Sequence, residues 1–173
     1  GSTLDVIDAS YDASFRDPAC TEFEVECRLT DAATRSARDS LTTRQLDVFG
    51  EFHQALNQRW LLIAGLGINH EDYLHETHTE PRIQLDYATQ SNGTYSLAYG
   101  RYFEFPEFAQ VEETFGNPAL RFLRADHFVI AYERELERDW YLKSELYHKR
   151  MDHLVSGDPQ LRYSNHGEGT ANG

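Results

Sequence analysis

Hydrophobic and polar side chains alternate along most of this chain, and that period of two predicts β-strands. The clearest example is residues 81–106, where two alternating runs flank the turn Gln90-Ser91-Asn92-Gly93. Leu85 and Leu97 belong to the apolar faces of these runs, whereas the opposite faces are polar or small. The Asn-Gly pair supplies the positive φ angles of a tight hairpin. We therefore predict a β-hairpin whose strands resemble the units of a membrane-spanning barrel.

Similar runs lie on both sides of this hairpin, and about eight strands are predicted in all. Short turns are predicted at 57–59, 90–93 and 137–139, a polar loop at 75–80, and long loops at about 16–41 and 104–124. Short and long connections alternate, as they do in an outer-membrane barrel. The prediction is an all-β, antiparallel up-and-down meander of about eight strands. It would form part of a transmembrane β-barrel with short periplasmic turns and long extracellular loops.

A soluble β-barrel or sandwich has the same alternation, so the faces alone leave two alternatives open. Apolar residues would face lipid in a membrane barrel and the interior in a soluble one; they are Leu62, Leu66, Leu85, Leu97, Ile130 and Leu146. Charged residues would line the lumen in a receptor and face solvent in a soluble barrel; they are Arg82, Asp86, Glu133, Glu135, Lys143 and Glu145. The alternating lengths of the connections favour the membrane barrel.

The composition excludes some functions without identifying one. The chain has 173 residues and a formal net charge of −13, with a sequence pI of about 4.9. No basic excess is present to displace counterions from phosphates, so we expect no nucleic-acid partner. No apolar run approaches the roughly 18 residues of a transmembrane helix, a test that a β-barrel escapes because only alternate residues face lipid.

The two cysteines, Cys20 and Cys27, lie in a segment without periodicity. The six residues between them would close a small loop, and a disulfide is feasible in an oxidising compartment. Two free thiols are the alternative. A single pair with this spacing is a poor zinc pattern, so the expectation here is a disulfide.

Several motifs resemble strands of the TonB-dependent outer-membrane receptors. WLLIAGLGINHEDY at 60–73 resembles that family's L-x-A-G-L-R-Y-D strand, and residues 81–106 resemble its hairpin with P-R-x-x-L-x-Y and Y-G-R-x-F-x-x-P. NPAL at 117–120 is similar to the N-P-x-L loop, and ADHFVIAYE at 125–133 to A-x-H-Y-x-x-G-Y-E. Tyr163, Asn165, Gly167 and Gly173 fit Y-x-N-x-G-x-x-x-x-x-G. The order and spacing of these motifs cover roughly residues 40–173.

This resemblance implies a receptor of the bacterial outer membrane, with a plugged barrel of about 22 strands. The chain shows no plug and no TonB-contacting segment, so residues 1–173 are expected to be an internal part of the barrel domain. The implied partners are outer-membrane lipid, an imported small-molecule ligand, and the plug domain and TonB complex of the full-length parent. The implied ligand is a siderophore, cobalamin, sugar or peptide. The alternatives are a self-contained, lipocalin-like soluble barrel and a passive channel without energy coupling.

The resemblance also implies that external loop tips and the upper lumen contact the ligand. The candidate ligand-binding residues are therefore those at the external end of the best-matched strand: Arg101, Tyr102, Glu104, Phe105 and Glu107. An outer aromatic girdle is the alternative role for Tyr102, Phe103 and Phe105. Phe108, Phe115 and Phe122 in the following loop are expected to pack that loop, and contact with the ligand is the alternative.

Metal binding and catalysis receive little support from the residue pattern. His75, His78 and Glu80 in HETHTE are the candidate metal ligands, because imidazole and carboxylate suit several divalent metals. A solvated acidic loop is the alternative, and the spacing is not that of H-E-x-x-H. No nucleophile motif or phosphate-cradling loop occurs, so we expect neither an enzyme nor a cofactor.

Overall fold

The computed structural model describes residues 1–16, 34–113, 116–136, 140–158 and 160–173. Eight strands form one antiparallel sheet in which each strand pairs with the next, and β1 and β8 are its two edges. The strands are β1 Ser2–Arg16, β2 Thr34–Ala55, β3 Trp60–Glu71, β4 Glu76–Ala88, β5 Gly93–Glu104, β6 Leu123–Glu135, β7 Tyr141–Asp158 and β8 Arg162–Asn172. The short helix α1, Phe108–Val111, lies between β5 and β6. The predicted eight-stranded meander is confirmed, and the sheet is open.

Two of the predicted loops are shorter than their composition indicated. β2 already begins at Thr34, opposite Arg16 of β1, so residues 34–41 are strand and not loop. β4 begins at Glu76, opposite Glu71 of β3, and only residues 72–75 connect these two strands. The ladder bonds of each hairpin satisfy the backbone of these polar segments. The connection at 105–122 agrees with the predicted long loop, whereas Cys20 and Cys27 lie outside the described residues.

The tight turns are stabilised by side chains that accept backbone hydrogen bonds. Asn57 Oδ1 accepts from the N–H groups of Arg59 and Trp60, at 2.8 and 3.1 Å. In the β4–β5 hairpin Asn92 adopts the positive φ, 56°, and Gly93 is already the first residue of β5. Of the predicted Asn-Gly pair, only the asparagine therefore has the left-handed conformation.

One face of the sheet, the apolar face, carries a continuous row of large aliphatic side chains. The register aligns Leu62 with Leu85, Leu85 with Leu97, Leu97 with Ile130 and Ile130 with Leu146. Aromatic pairs flank this row: Trp60–Tyr87 and Tyr95–Tyr132 towards the tight turns, and Tyr99–Phe128 towards the other end. Leu97 and Ile130 are each 56% exposed and Leu146 is 66% exposed. A soluble barrel would bury this row.

The opposite face, the polar face, carries small, polar and charged side chains. In β5 the sequence Thr94-Tyr95-Ser96-Leu97-Ala98 alternates between half-buried and exposed, and the small residues are the less exposed. Of the buried apolar side chains among the described residues, Val111, Leu120 and Phe122 lie in the connection between β5 and β6, and the small Ala131 lies on β6. Within the described residues no helix is long and apolar enough to cross a membrane.

Candidate functional site

A groove on the polar face runs across β2, β3 and β4. A depression of about 270 Å³ is lined there by residues that include Asp47, Glu51, Asn69, Glu80 and Arg82. Its floor is open because Gly65 and Gly67 contribute no side chains, and a Cβ at Gly65 would meet no atom closer than 3.6 Å. A second depression of about 180 Å³ continues from Arg82 towards Tyr102 and His127. Alternation places all these side chains on one face, and we call this surface the glycine groove.

Arg82 stands between the two depressions of the glycine groove. Its guanidinium carbon lies 5.0 Å from the centroid of the Tyr102 ring, within the range of a cation–π contact. Its Nη2 donates to Glu80 Oε2 at 3.1 Å. The Tyr102 ring in turn lies against Gly100, where a Cβ would approach the phenol oxygen to 2.6 Å. The guanidinium is thus held in place while about half of the side chain, 54%, stays exposed.

The connection at 105–122, which we call the β5–β6 loop, packs on the end of β4 beside this groove. Phe122 is buried, and its ring centroid lies 4.5 Å from that of His78 and 5.6 Å from that of Phe105. His78 also stacks on Phe103 at 4.2 Å. Glu80 Oε1 accepts a hydrogen bond from the Phe103 N–H at 3.1 Å. The aromatic cluster therefore connects the loop to the strand that carries Arg82.

Polar contacts connect the β5–β6 loop to β4 on one side and to β8 on the other. Arg121 Nε donates to Glu76 Oε1 of β4 at 3.2 Å. Asn117 Nδ2 donates to the carbonyl of Tyr163 in β8 at 2.7 Å. Asn165 of β8 accepts from the Arg121 N–H at 2.6 Å and donates to the Arg121 carbonyl at 3.1 Å. Side-chain hydrogen bonds therefore connect the loop to β4 and to β8, the first and the last of five consecutive strands.

The five predicted ligand-binding residues do not form one cluster. Arg101 lies on the apolar face, where its Nε donates to Asp126 Oδ1 at 2.7 Å, whereas Tyr102 lies on the polar face. Phe105 packs in the aromatic cluster. Glu107 forms a capping box with Gln110 of α1, and Glu104 is exposed. Adjacent strand residues point to opposite faces, so of this set only Tyr102 contributes to the glycine groove.

The predicted metal ligands do not assemble. Among the described residues no three His, Cys, Asp or Glu side chains are grouped as metal ligands would be. His75 lies in the β3–β4 turn with a positive φ of 53°. His78 contacts Glu76, at 2.8 Å, and Glu80 contacts Arg82. The HETHTE segment was predicted as a loop, but most of it is strand, and its side chains take partners within the sheet.

The charges on the polar face at the end of the sheet with the tight turns pair with one another. Lys143 Nζ lies 3.0 Å from Glu133 Oε1 and 3.9 Å from Glu145 Oε2.

At the tip of the β7–β8 hairpin, beyond the apolar row, Asp158 accepts hydrogen bonds from the N–H groups of Gln160 and Leu161. These backbone hydrogen bonds, the Leu161 bond first, hold the pKa of Asp158 below its ordinary value.

Two features of the site escaped the sequence interpretation. Arg82 was assigned to the inward face, but the alignment of Gly65, Gly67 and Gly100 into a groove depends on strand register. The signal was present as glycine at alternate positions of β3, opposite the polar positions of β4. The contact of Asn165 with the β5–β6 loop had no comparable signal, because 44 residues separate it from Arg121.

Comparison with known proteins places this geometry in context. The family model described as "TonB dependent receptor-like, beta-barrel" matches residues 5–173. Among solved structures, the siderophore receptor PirA from Pseudomonas aeruginosa aligns with a TM-score of 0.69 at 13% identity, covering 99% of this chain and 36% of that one. The ferric enterobactin receptor PfeA in complex with BCV-L6 aligns with a TM-score of 0.62 at 17% identity, covering 99% and 30%.

A point mutant of PfeA from Pseudomonas aeruginosa aligns similarly, with a TM-score of 0.63 at 15% identity, covering 99% of this chain and 29% of that one. No curated protein matches the chain. At these identities the structural likeness shows the fold. The chain spans about a third of the length of the receptors that it matches.

Proposed function

Because this chain belongs to the family of TonB-dependent receptor-like β-barrels, we propose that it forms part of the wall of an outer-membrane receptor that imports a ferric siderophore. Residues 1–173 would be one portion of the barrel domain. The rest of the wall, the plug and the TonB contact would belong to other parts of the full-length receptor. In this arrangement the apolar face contacts outer-membrane lipid, and the polar face lines the lumen.

The observation that carries the proposal is the distribution of exposure between the two faces. The large aliphatic side chains at Leu97, Ile130 and Leu146 are more than half exposed, while the charged groove lies on the other face. Contact between such a row and lipid carries no hydrophobic penalty, whereas contact with water is unfavourable. A lipocalin-like soluble barrel needs the reverse distribution.

The siderophore is supported by the names of the aligned receptors and by the chemistry of the glycine groove. PirA is named as a siderophore receptor and PfeA as a ferric enterobactin receptor. Ferric chelates of catecholate and hydroxamate oxygens are bulky, and the catecholate chelates carry net negative charge. An exposed guanidinium beside a tyrosine ring offers such a chelate both a charge-assisted hydrogen bond and a flat apolar contact. Because Gly65 and Gly67 carry no side chains, the groove leaves room for a bulky chelate.

The direct test is uptake of ligands that each carry their own radiolabel by iron-starved cells whose only siderophore receptor is the full-length parent of this chain. A panel of ferric catecholates, ferric hydroxamates, cobalamin and maltodextrins would be supplied separately. We expect accumulation with at least one ferric siderophore, and loss of that accumulation when TonB is deleted. Uptake of cobalamin or sugar alone would contradict the siderophore, and uptake that is independent of TonB would instead support a passive channel.

Replacing Arg82 tests the role of the glycine groove. Arg82→Gln is expected to weaken binding of the imported ferric siderophore about 10- to 100-fold, because a hydrogen bond to a charged group contributes about 1.5–3 kcal/mol. Binding would be measured by tryptophan fluorescence quenching of the purified full-length receptor. Lys143→Gln is the matched control, since Lys143 lies on the same face beside Glu133 at the opposite end. Equal weakening by both variants would show a general effect of charge and not a site.

A further inference from the structure

The two depressions of the glycine groove differ in charge. The first is lined by three carboxylates and one guanidinium, those of Asp47, Glu51, Glu80 and Arg82. The second shares Glu51 and Arg82 with the first and adds His127, but no further carboxylate. Lys149 lies opposite His127 in the register of β6 and β7, on the same face. Negative charge is therefore concentrated in the first depression, at the β2–β3 end of the groove.

Two of the three carboxylates in the first depression have no arginine or lysine partner among the described residues. Glu80 pairs with Arg82, so these two charges cancel. Asp47 accepts a hydrogen bond from a neutral side-chain amide. Glu51 contacts the imidazole of His53, and 53% of the Glu51 side chain is exposed. When His53 is neutral, the first depression therefore has an excess of negative charge, from Asp47 and Glu51.

The amide that binds Asp47 belongs to Asn69, and the oxygen of this amide has no partner. Asn69 is 8% exposed and lines the first depression. Its Nδ2 donates to Asp47, whereas its Oδ1 is buried and accepts no hydrogen bond from the described residues. Because neighbouring atoms cover this oxygen, it would act on a ligand through its dipole and not by direct contact. The negative end of that dipole adds to the potential of the carboxylates, and a cation in the depression would stabilise all of these groups.

An exposed aromatic ring lies between the two carboxylates that lack a cationic partner. Phe49 is two positions from both Asp47 and Glu51 and therefore on the same face of β2, and 57% of it is exposed. It pairs in register with Gly67, which has no side chain to cover the ring. An aromatic face attracts a cation, and the two flanking carboxylates strengthen that attraction, whereas they repel an anion. The combination is therefore suited to an alkylammonium group.

We propose that the first depression binds a positively charged amine that the imported ferric chelate carries on a side arm. The ammonium would lie against Phe49, between Asp47 and Glu51. The iron-binding oxygens of the same chelate would lie beside Arg82. Because β2 and β4 are two strand spacings apart, roughly 10 Å, an arm of several bonds would connect the two positions. This inference rests on the proposed import of a ferric siderophore, and it narrows that ligand to chelates with a basic side arm.

The test compares two pairs of ferric chelates for binding to the purified full-length receptor, by isothermal titration calorimetry. One pair consists of tris-catecholates and the other of trihydroxamates. In each pair one member has a primary amine on an arm of roughly 10 Å, and in the other member that amine is acetylated, which removes the charge and keeps the chelate and the arm. We expect the amine to bind about tenfold more tightly than its acetylated partner in at least one pair. Equal affinities within every pair that binds would overturn this inference and leave siderophore import intact, whereas failure of all four chelates to bind would contradict the proposed function and this inference with it.

Substitutions locate the effect in the first depression. Glu51→Gln removes one of the two carboxylates without a cationic partner, so it should reduce the preference for the amine to about threefold or less and leave the acetylated chelate within about twofold of its original affinity. Phe49→Leu keeps most of the apolar volume but removes the aromatic face, and it should reduce the preference about threefold.

Glu145→Gln is the matched control, because Glu145 lies on the same face near Lys143, at the end of the sheet with the tight turns. It should leave the preference for the amine unaltered. An equal loss in Glu145→Gln would show a general effect of charge, and an unchanged preference in both Glu51→Gln and Phe49→Leu would show that the amine binds elsewhere; either result would overturn the proposal. Heat-modifiable electrophoretic mobility would establish that each variant is folded.

Discussion

Leu97→Arg is expected to destabilise the barrel in the membrane by about 2–4 kcal/mol, the range measured for arginine on the lipid face near the bilayer midplane. Leu97 lies in the middle of the aliphatic row, between Leu85 and Ile130, and 56% of it is exposed. A guanidinium at position 97 would find no carboxylate among the neighbouring side chains of the aliphatic row. Leu146→Arg should behave similarly, because Leu146 is aligned with Ile130 on the next strand.

The measurement is the free energy of unfolding of the full-length receptor from lipid vesicles, obtained by denaturant titration at fixed lipid composition. Ser96→Arg is the matched control, because Ser96 is the adjacent residue on the polar face and pairs in register with Asp86. We expect that control to change the free energy of unfolding by less than about 1 kcal/mol. If Ser96→Arg costs as much as Leu97→Arg, the assignment of lipid-facing and lumen-facing sides is wrong.

The sequence was sufficient to predict the strands and their faces because alternation is a local property. Leu85 and Leu97 could be placed on one face without any knowledge of their partners, and the register confirms that they are neighbours. Loop lengths were predicted less well. Residues 34–41 are mostly polar and residues 76–80 are entirely polar, as loops are, but in the structure they extend hairpins beyond the row of large aliphatic side chains. Beyond the aliphatic row, polarity no longer distinguishes strand from loop.

The candidate site could not be predicted as a cluster, because clustering depends on register and on loop packing. Arg101 and Tyr102 are adjacent in the sequence, yet they lie on opposite faces of β5 and have different neighbours. Arg82 and Tyr102 are 20 positions apart, yet they form the cation–π pair of the glycine groove. Proximity along a strand therefore predicted the wrong grouping, whereas the alternation rule applied to Arg101 would have separated it from Tyr102.

Phe122→Ala is expected to detach the β5–β6 loop from the sheet. Phe122 is 3% exposed, and its ring contacts His78 and Phe105. Truncating a buried phenylalanine costs about 3–5 kcal/mol. Because the lost contacts belong to the loop, the cost should fall on local opening and leave the strands folded. Amide hydrogen exchange in the full-length receptor should therefore accelerate about a hundredfold or more at Leu120 and its neighbours, while amides in the centre of β5 keep their rates.

Phe128→Ala provides the control for this change, because Phe128 is the same residue type on the apolar face and is 49% exposed. It should leave exchange in the loop unaltered, whereas Phe122→Leu, which retains most of the apolar volume, should have an intermediate effect. Loop opening also removes the support of the His78–Phe103 stack, which adjoins the hydrogen bond between Glu80 and the Phe103 N–H. Glu80 is the carboxylate that pairs with Arg82, so Phe122→Ala should weaken ligand binding as well. Unchanged exchange in the loop would mean that its contacts with β8, through Asn117 and Asn165, hold it without the aromatic cluster.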